Sequence, residues 1–354
     1  MKEVLSIFAL MLFNILSYSS SYTVNDPRIP KIDALMNEQY QAGHFTGGVL
    51  VAENGNVIYK KTFGLANREH SVPNDFKTKF RIGSITKQFT ASAIMVLQQQ
   101  GKLSVHDTIR QYLPDYPEIG DKITIHHLLT HTSGIPEYTN IDDFWSLQTH
   151  PCSLPELVNL FKDKPLDFKP GSQWSYSNSG YVLLAQIIEN ITGTSYEKFL
   201  NQALFEPAQI TDTLEDRALK IIPHRAQGYG LLPNKKIQNA QYIDLSCTKA
   251  AGSLLSTMED LYKWDRVLYQ NTILNEVSKS QMFYDQTGTG YGYGWAVDEK
   301  FGHRRVSHGG AINGFLSEFS RYIGADVTII VWNNTIFEEP NHKLPDALAR
   351  IMFG

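Results

Sequence analysis

Three groups of residues in this chain have side chains and spacing suited to acyl transfer. The first is Ser84-Ile85-Thr86-Lys87, which opens an apolar stretch. A serine and a lysine three apart on a helix share one face. The serine hydroxyl is a poor nucleophile until a base takes its proton, and a lysine can be that base if burial lowers its pKa. A serine in a first helical turn also lies near unpaired N–H groups and the positive end of the helix dipole. Both favour the oxyanion that forms on acylation. The second group is Tyr176-Ser177-Asn178, in the polar stretch Trp174–Gly180 ahead of an apolar helix. A tyrosine there can carry a proton in a cleft, and the asparagine can hold an amide or a carbonyl. The third is His308-Gly309-Gly310, which follows Arg305-Val306-Ser307, a predicted strand. Glycines beside a strand let a ligand approach the backbone closely, and the N–H of Ala311 is a candidate second oxyanion donor.

Context selects among repeats of these short patterns. The serine–lysine spacing recurs at Ser195–Lys198 and Ser246–Lys249. The former follows Gly193-Thr194 and reads as an N-cap with a solvent-facing lysine; the latter runs into Ala250-Ala251-Gly252 and reads as a turn or strand edge. Only Ser84 opens a core helix. The tyrosine–asparagine spacing recurs at Tyr138–Asn140 and Tyr269–Asn271, where a surface turn is the expectation. No second histidine stands at metal-ligand spacing to His308. His126, His127 and His131 crowd one short helix without a carboxylate on the same face, and two isolated cysteines do not make a zinc site. No metal or cofactor is expected. The chain contains no Gly-x-Ser-x-Gly elbow, which argues against an α/β-hydrolase.

The elements that must carry these residues are legible in outline. Apolar runs flank Asn54-Gly55, a strong hairpin signal, and the Gly314–Tyr322 run leads through Gly324-Ala325-Asp326 into the continuous apolar Val327–Trp332, a second hairpin with a strand buried on both faces. Both ends of the mature chain therefore read as antiparallel sheet. The middle reads as helical: Gln88–Gln100, Ile125–Thr130 capped by Thr124, Tyr181–Ile191, Ser195–Leu204 and Ser256–Leu268. Strand-rich ends enclosing a helical middle imply one mixed lobe with a helical lobe inserted.

The 354 residues are ample for a large core, as one domain or two fused lobes, and a net charge of −4 gives nothing to recruit nucleic acid. Lys2, an apolar run from Val4 to Leu16 and Ser19, Ser20 and Ser21 read as a signal peptide over residues 1–21. An uncleaved anchor, which would put the chain at a membrane, is the alternative. A periplasmic or secreted location follows from the first reading. Cys152 and Cys247 are the only cysteines. An exported protein could join them, but their spacing leaves the pairing open.

In their order along the chain, Ser84–Lys87, Tyr176–Asn178 and His308–Gly310 resemble the serine β-lactamase and penicillin-binding protein superfamily, in particular the branch of class C β-lactamases, D-alanyl-D-alanine carboxypeptidases and related esterases. Arg81-Ile82-Gly83-Ser84, the segment His127–Pro136, Ala251–Thr257 and Tyr293-Gly294-Trp295 add to the likeness, which runs from about Ile32 to the C-terminus. The resemblance implies an α+β fold, an antiparallel β-sheet flanked by helices with an inserted all-helical lobe. Its hydrolase domain would span residues 22–354, with a mixed lobe of about 22–83 and 245–354 and a helical lobe of about 84–244. It also implies roles. Ser84 would be the nucleophile, and Lys87 its base or proton relay. Tyr176 would pass protons to the leaving group and activate the deacylating water. Asn178 would orient the substrate, and His308 would serve the proton network or bind an anionic group. The N–H groups of Ser84 and Ala311, beside Gly310, would form the oxyanion hole. Gly309 stands where penicillin-recognising relatives often carry a hydroxyl that binds a substrate carboxylate, so ester or amide hydrolysis ranks above efficient β-lactam hydrolysis. Arg304 and Arg305 are candidates to replace that contact. The expected partner is a small-molecule or peptide substrate, such as a cell-wall peptide or a β-lactam. The alternative function is a non-turnover penicillin or cell-wall sensor of the same fold.

Overall fold

The computed structural model describes residues 26–337 and 343–354, except positions 233 and 235. The predicted signal segment lies outside the described residues. Asn54 and Gly55 both take positive φ, 50° and 72°, the geometry of a tight hairpin turn whose twist matches its strands. They join Gly47–Glu53 to Asn56–Phe63. These strands complete a six-stranded antiparallel sheet in the order Ala296–Lys300, His303–Ile312, Phe315–Tyr322, Val327–Asn333, Gly47–Glu53, Asn56–Phe63. The last strand of the sequence thus pairs with the first, Leu50 facing Ile330.

Val327–Asn333 is buried along its whole length, as its apolar run predicts. Its alternate side chains serve two cores. Val327, Ile329 and Val331 pack with Val49, Val51, Ile32, Met36, Leu344 and Leu348. Ile330 and Trp332 face the other way, with Leu50, Phe319, Phe89 and Trp264. The first core corrects the expectation for the chain ends: the helices Arg28–Gln41 and Leu344–Phe353 lie outside the strands in sequence and cover the sheet's outer face. A sheet apolar on both faces needs two layers of helix.

The second core carries the functional half. The helix Thr86–Gln99 buries every residue from Thr86 to Leu97 and packs beside Asn178–Thr192, itself held by a Ser177 cap and ended by Gly193 in the left-handed conformation. Ile125–Leu129 has the predicted Thr124 cap, with the His127 side chain completing a capping box. Tyr196–Leu200 continues as a π-helical turn over Asn201–Phe205, and Met258–Val267 starts at the Thr257 cap. Between Arg81 and Leu254 helices are the main regular elements, joined by a short hairpin of Tyr229–Leu231 and Ile237–Asn239. The segment also returns a short strand, Leu214–Glu215, to a small sheet shared with Phe80–Arg81 and Leu254–Ser256. Cys152 and Cys247 form a disulfide with Cα atoms 4.9 Å apart, which resolves the pairing left open by their spacing.

Candidate active site

Ser84 sits in a 3₁₀ turn, Gly83–Ile85, that leads directly into the helix Thr86–Gln99. It is therefore one step ahead of the α-helical turn expected for it. Two glycines bring this turn against the His303–Ile312 strand. Gly83 has φ +51°, and a Cβ there would lie 2.9 Å from Ala311 N. A Cβ at Gly310 would lie 2.0 Å from Ile82 O. Both positions require glycine, and both keep the Ala311 N–H beside the turn that carries Ser84.

Lys87 is fully buried one helical turn on. Its Nζ lies 3.1 Å from Ser84 Oγ, 2.7 Å from Asn178 Oδ1 and 2.8 Å from Ala251 O. The two carbonyl oxygens accept two N–H bonds, which leaves the lone pair of a neutral amine for the serine hydroxyl. Burial lowers the Lys87 pKa to about 7, against an opposing pull from the Glu137 carboxylate. The Lys87 nitrogen also stands over the rings of Tyr176 and Tyr181, 4.7 and 5.4 Å from their centroids.

The Tyr176 hydroxyl is buried and has no protein partner at ordinary hydrogen-bond geometry. Burial raises its pKa, and Ser84, the hydroxyl it faces, pulls it back in part. Asn178 begins the helix that follows. Glu137 holds it by accepting from both its backbone N–H and its side-chain Nδ2, the latter at 3.1 Å. That pair fixes the amide flip and points Asn178 Oδ1 at Lys87.

His308 lies within its strand, buried, with Nδ1 2.6 Å from Gly309 O and Nε2 2.8 Å from the Tyr291 hydroxyl. A carbonyl can only accept, so Nδ1 carries the proton and Nε2 accepts from Tyr291. Burial, with the nearby Lys87 charge, lowers the His308 pKa to about 3, so the ring is neutral at working pH.

The structure thus brings together all seven residues singled out from the sequence. Ser84, Tyr176, Asn178, His308, Gly310 and Ala311 line one cavity of about 630 Å³, and Lys87 stands behind Ser84. The repeats of the motifs fall elsewhere. Ser195 caps its helix, accepting from the Lys198 N–H, and Ser246 accepts from Cys152 N–H. Tyr138 is not in a surface turn; it is fully buried and donates to Cys247 O at 2.7 Å. Of the two candidate arginines, Arg305 lines this cavity and Arg304 is not among its lining residues. Arg305 pairs with Asp298 and Asp346, and Arg304 donates to Phe283 O. Sequence reasoning gave no role to Glu137 or Tyr291, and met His131 only as a weighed metal ligand and as part of the His127–Pro136 likeness. Glu137 follows a helix-stopping segment and Tyr291 a glycine-rich loop, so neither has a local pattern that marks it; only the folded contacts do. Among the described residues no cluster of three or more His, Cys, Asp or Glu side chains could hold a metal ion.

Residues 32–351 match the family described as Beta-lactamase. Penicillin-binding protein 4* of Bacillus subtilis (strain 168) is 32% identical over 340 residues, covering 90% of this chain and 74% of that protein. The crystal structure of a penicillin-binding protein from Bacillus halodurans superposes with a TM-score of 0.79 at 26% identity, covering 91% of this chain and 98% of its own. A D-stereospecific amidohydrolase from Streptomyces sp. superposes with a TM-score of 0.73 at 26% identity, covering 86% and 94%.

Proposed function

This chain belongs to the Beta-lactamase family, and we propose that it is a hydrolase of esters or amides that works through a covalent acyl-enzyme on Ser84. The observation that carries this reading is the buried Lys87 amine, 3.1 Å from Ser84 Oγ, with its two N–H bonds already taken by carbonyl oxygens. Such an amine has its lone pair free for one task, removal of the serine proton.

The steps follow from the geometry. Ser84 Oγ attacks the substrate carbonyl carbon as its proton passes to Lys87 Nζ. The carbonyl oxygen becomes an oxyanion, held by the Ser84 and Ala311 N–H groups. Tyr176, whose hydroxyl has no competing partner, delivers a proton to the leaving group as the scissile bond breaks. A water molecule then attacks the acyl carbon, gives its proton back through Tyr176 and Lys87, and Ser84 leaves with a proton. His308 is neutral and therefore orients rather than neutralises.

Gly309 has no hydroxyl to bind a substrate carboxylate, which ranks uncharged esters and amides above carboxylate-bearing β-lactams; a side chain at this position would begin 3.2 Å from Glu318 Oε2. The likeness to a D-stereospecific amidohydrolase, and to penicillin-binding proteins, supports amide substrates, with β-lactams acylating slowly. An exported enzyme working on small amides or cell-wall peptides fits the N-terminal segment.

Intact-mass measurement of the protein and its Ser84→Ala variant, each with an activated short-chain ester, an amino-acid amide and a penicillin, tests the reading. Serine-dependent turnover of ester or amide, with a slow or absent penicillin adduct, is the expected result. A long-lived penicillin adduct without turnover of any substrate would support the sensor alternative, and full turnover by Ser84→Ala would sink the acyl-enzyme.

A further inference from the structure

We propose that His131 is a positioning residue for Tyr176, locking the phenol in place from both sides of the chain. This rests on the acyl-enzyme reading and adds a residue to it. The residues flanking Tyr176 are both tied to His131: its carbonyl accepts from the Ser175 N–H at 2.9 Å, and its ring Nδ1 accepts from the Ser177 N–H at 3.0 Å. Its ring then stacks on the one between them, with centroids 4.4 Å apart and planes 34° apart. The same ring touches Tyr291, the donor to His308, at 4.7 Å, and Tyr181 at 5.3 Å.

Two features show that this arrangement is held against opposing terms. His131 adopts φ +61°, a left-handed conformation uncommon outside glycine. Because Nδ1 accepts, the ring proton is on Nε2, and that buried atom has no protein partner. An unpaired buried donor is destabilising, so a side chain serving packing alone would be better apolar. A phenylalanine would keep the stack but leave the Ser177 N–H unpaired. An asparagine would keep an acceptor but lose the stack. Among these side chains only histidine supplies the acceptor and the flat ring together.

The test is His131→Asn, chosen because asparagine tolerates positive φ and can still accept from the Ser177 N–H, so the fold is retained. With an activated short-chain ester, kcat falls about 10- to 100-fold, the scale set by misplacing a reacting group by about 1 Å, while KM stays within about twofold. In a Tyr176→Phe background the same substitution changes kcat by less than about twofold, because the group it positions is already gone. Wild-type kcat in His131→Asn, or an equal loss in both backgrounds, would overturn the proposal, the second outcome indicating a general structural role. A readout independent of turnover separates this from failure of the Ser84 reading. Fluorotyrosine at position 176 gives one sharp fluorine NMR line in the otherwise wild-type protein and a broadened or split line in His131→Asn. An unchanged line would overturn the positioning role whatever Ser84→Ala shows.

Discussion

If Lys87 takes the serine proton, acylation must follow the neutral fraction of that one buried amine. Burial moves its pKa from the ordinary 10.5 to about 7. At pH 7 about half of the molecules then hold a neutral Lys87, against roughly one in 3,000 for an unperturbed lysine, a gain of roughly 1,600-fold, worth about 4 kcal/mol at about 1.36 kcal/mol per tenfold. The acylation rate should therefore be near its plateau at pH 8, fall to about half at pH 7, and drop about tenfold for each unit below pH 6. His308, with its pKa lowered to about 3, lies below this window, and burial also lowers the pKa of His131. The limb between pH 5 and 8 thus belongs to the amine and the groups coupled to it. Glu137 supplies a control. Its carboxylate raises the Lys87 pKa, so Glu137→Gln should move the midpoint of the limb to lower pH even as looser Asn178 lowers the plateau. The assay is single-turnover acylation by a chromogenic ester, with the rate constant measured from pH 5 to 9. A flat profile, or a midpoint that rises in Glu137→Gln, would refute the assignment of the base. The same shift has a stability consequence. The folded state resists protonating Lys87, so the group is without penalty above about pH 10.5 and becomes destabilising as pH falls toward 7, after which the penalty is constant.

Three further outcomes are expected. Tyr291→Phe keeps the ring and removes the donor to His308 Nε2; the loss of about 1 kcal/mol should lower ester kcat about fivefold while the thermal midpoint changes little. Gly310→Ala would force a methyl group to within 2.0 Å of Ile82 O, so urea unfolding should show about 1–3 kcal/mol of destabilisation, and ester turnover should fall at least about tenfold as the Ala311 N–H leaves the oxyanion site. Reduction of Cys152–Cys247, 95 residues apart in sequence, should lower stability by about 2–4 kcal/mol, read as a drop in the urea midpoint with dithiothreitol, while the folded reduced enzyme keeps its turnover.

Much of this site is legible in the sequence because its three motifs each carry their own local geometry. Ser84 and Lys87 are three apart on helical backbone, Tyr176 and Asn178 straddle a helix start, and the glycines after His308 announce a close approach that Gly310 makes against Ile82 O. The hairpins were equally plain, since Asn54-Gly55 encodes its turn and Val327–Trp332 its burial. What the sequence hides is contact between distant segments. Arg28–Gln41 and Leu344–Phe353 carry helical apolar spacing, but nothing local says that they share a sheet face. Glu137 acquires its role only when the chain 41 residues on returns Asn178 to it. Tyr291 and His308 meet because the loop that carries Tyr291 leads into Ala296–Lys300, the strand that pairs with the one bearing His308. The exclusions also had unequal grounds: Ser195 is revealed as a cap by its position alone, whereas Tyr138 needed the fold to show that it is buried beneath the disulfide carbonyl.

The proposed lysine base would impose its own architecture. At neutral pH only burial makes the amine available, yet burial alone would leave its N–H groups unpaired. Asn178 Oδ1 and Ala251 O answer that need, and they come from two elements, Asn178–Thr192 and Lys249–Ala251, that pack against each other as well as against the helix that bears Lys87. Asn178 can accept only if its amide is turned the right way, which Glu137 enforces by taking the Nδ2 hydrogen. Yet Glu137 is also a negative charge that favours the ammonium form. The residue that orients the acceptor therefore opposes the neutrality that the acceptor serves, and the pKa near 7 is where burial and that charge balance. Moving Glu137 closer would disable the base, while removing it would free the amide; the observed geometry keeps the carboxylate one residue removed, acting on Lys87 through Asn178 by hydrogen bonds and directly only through space.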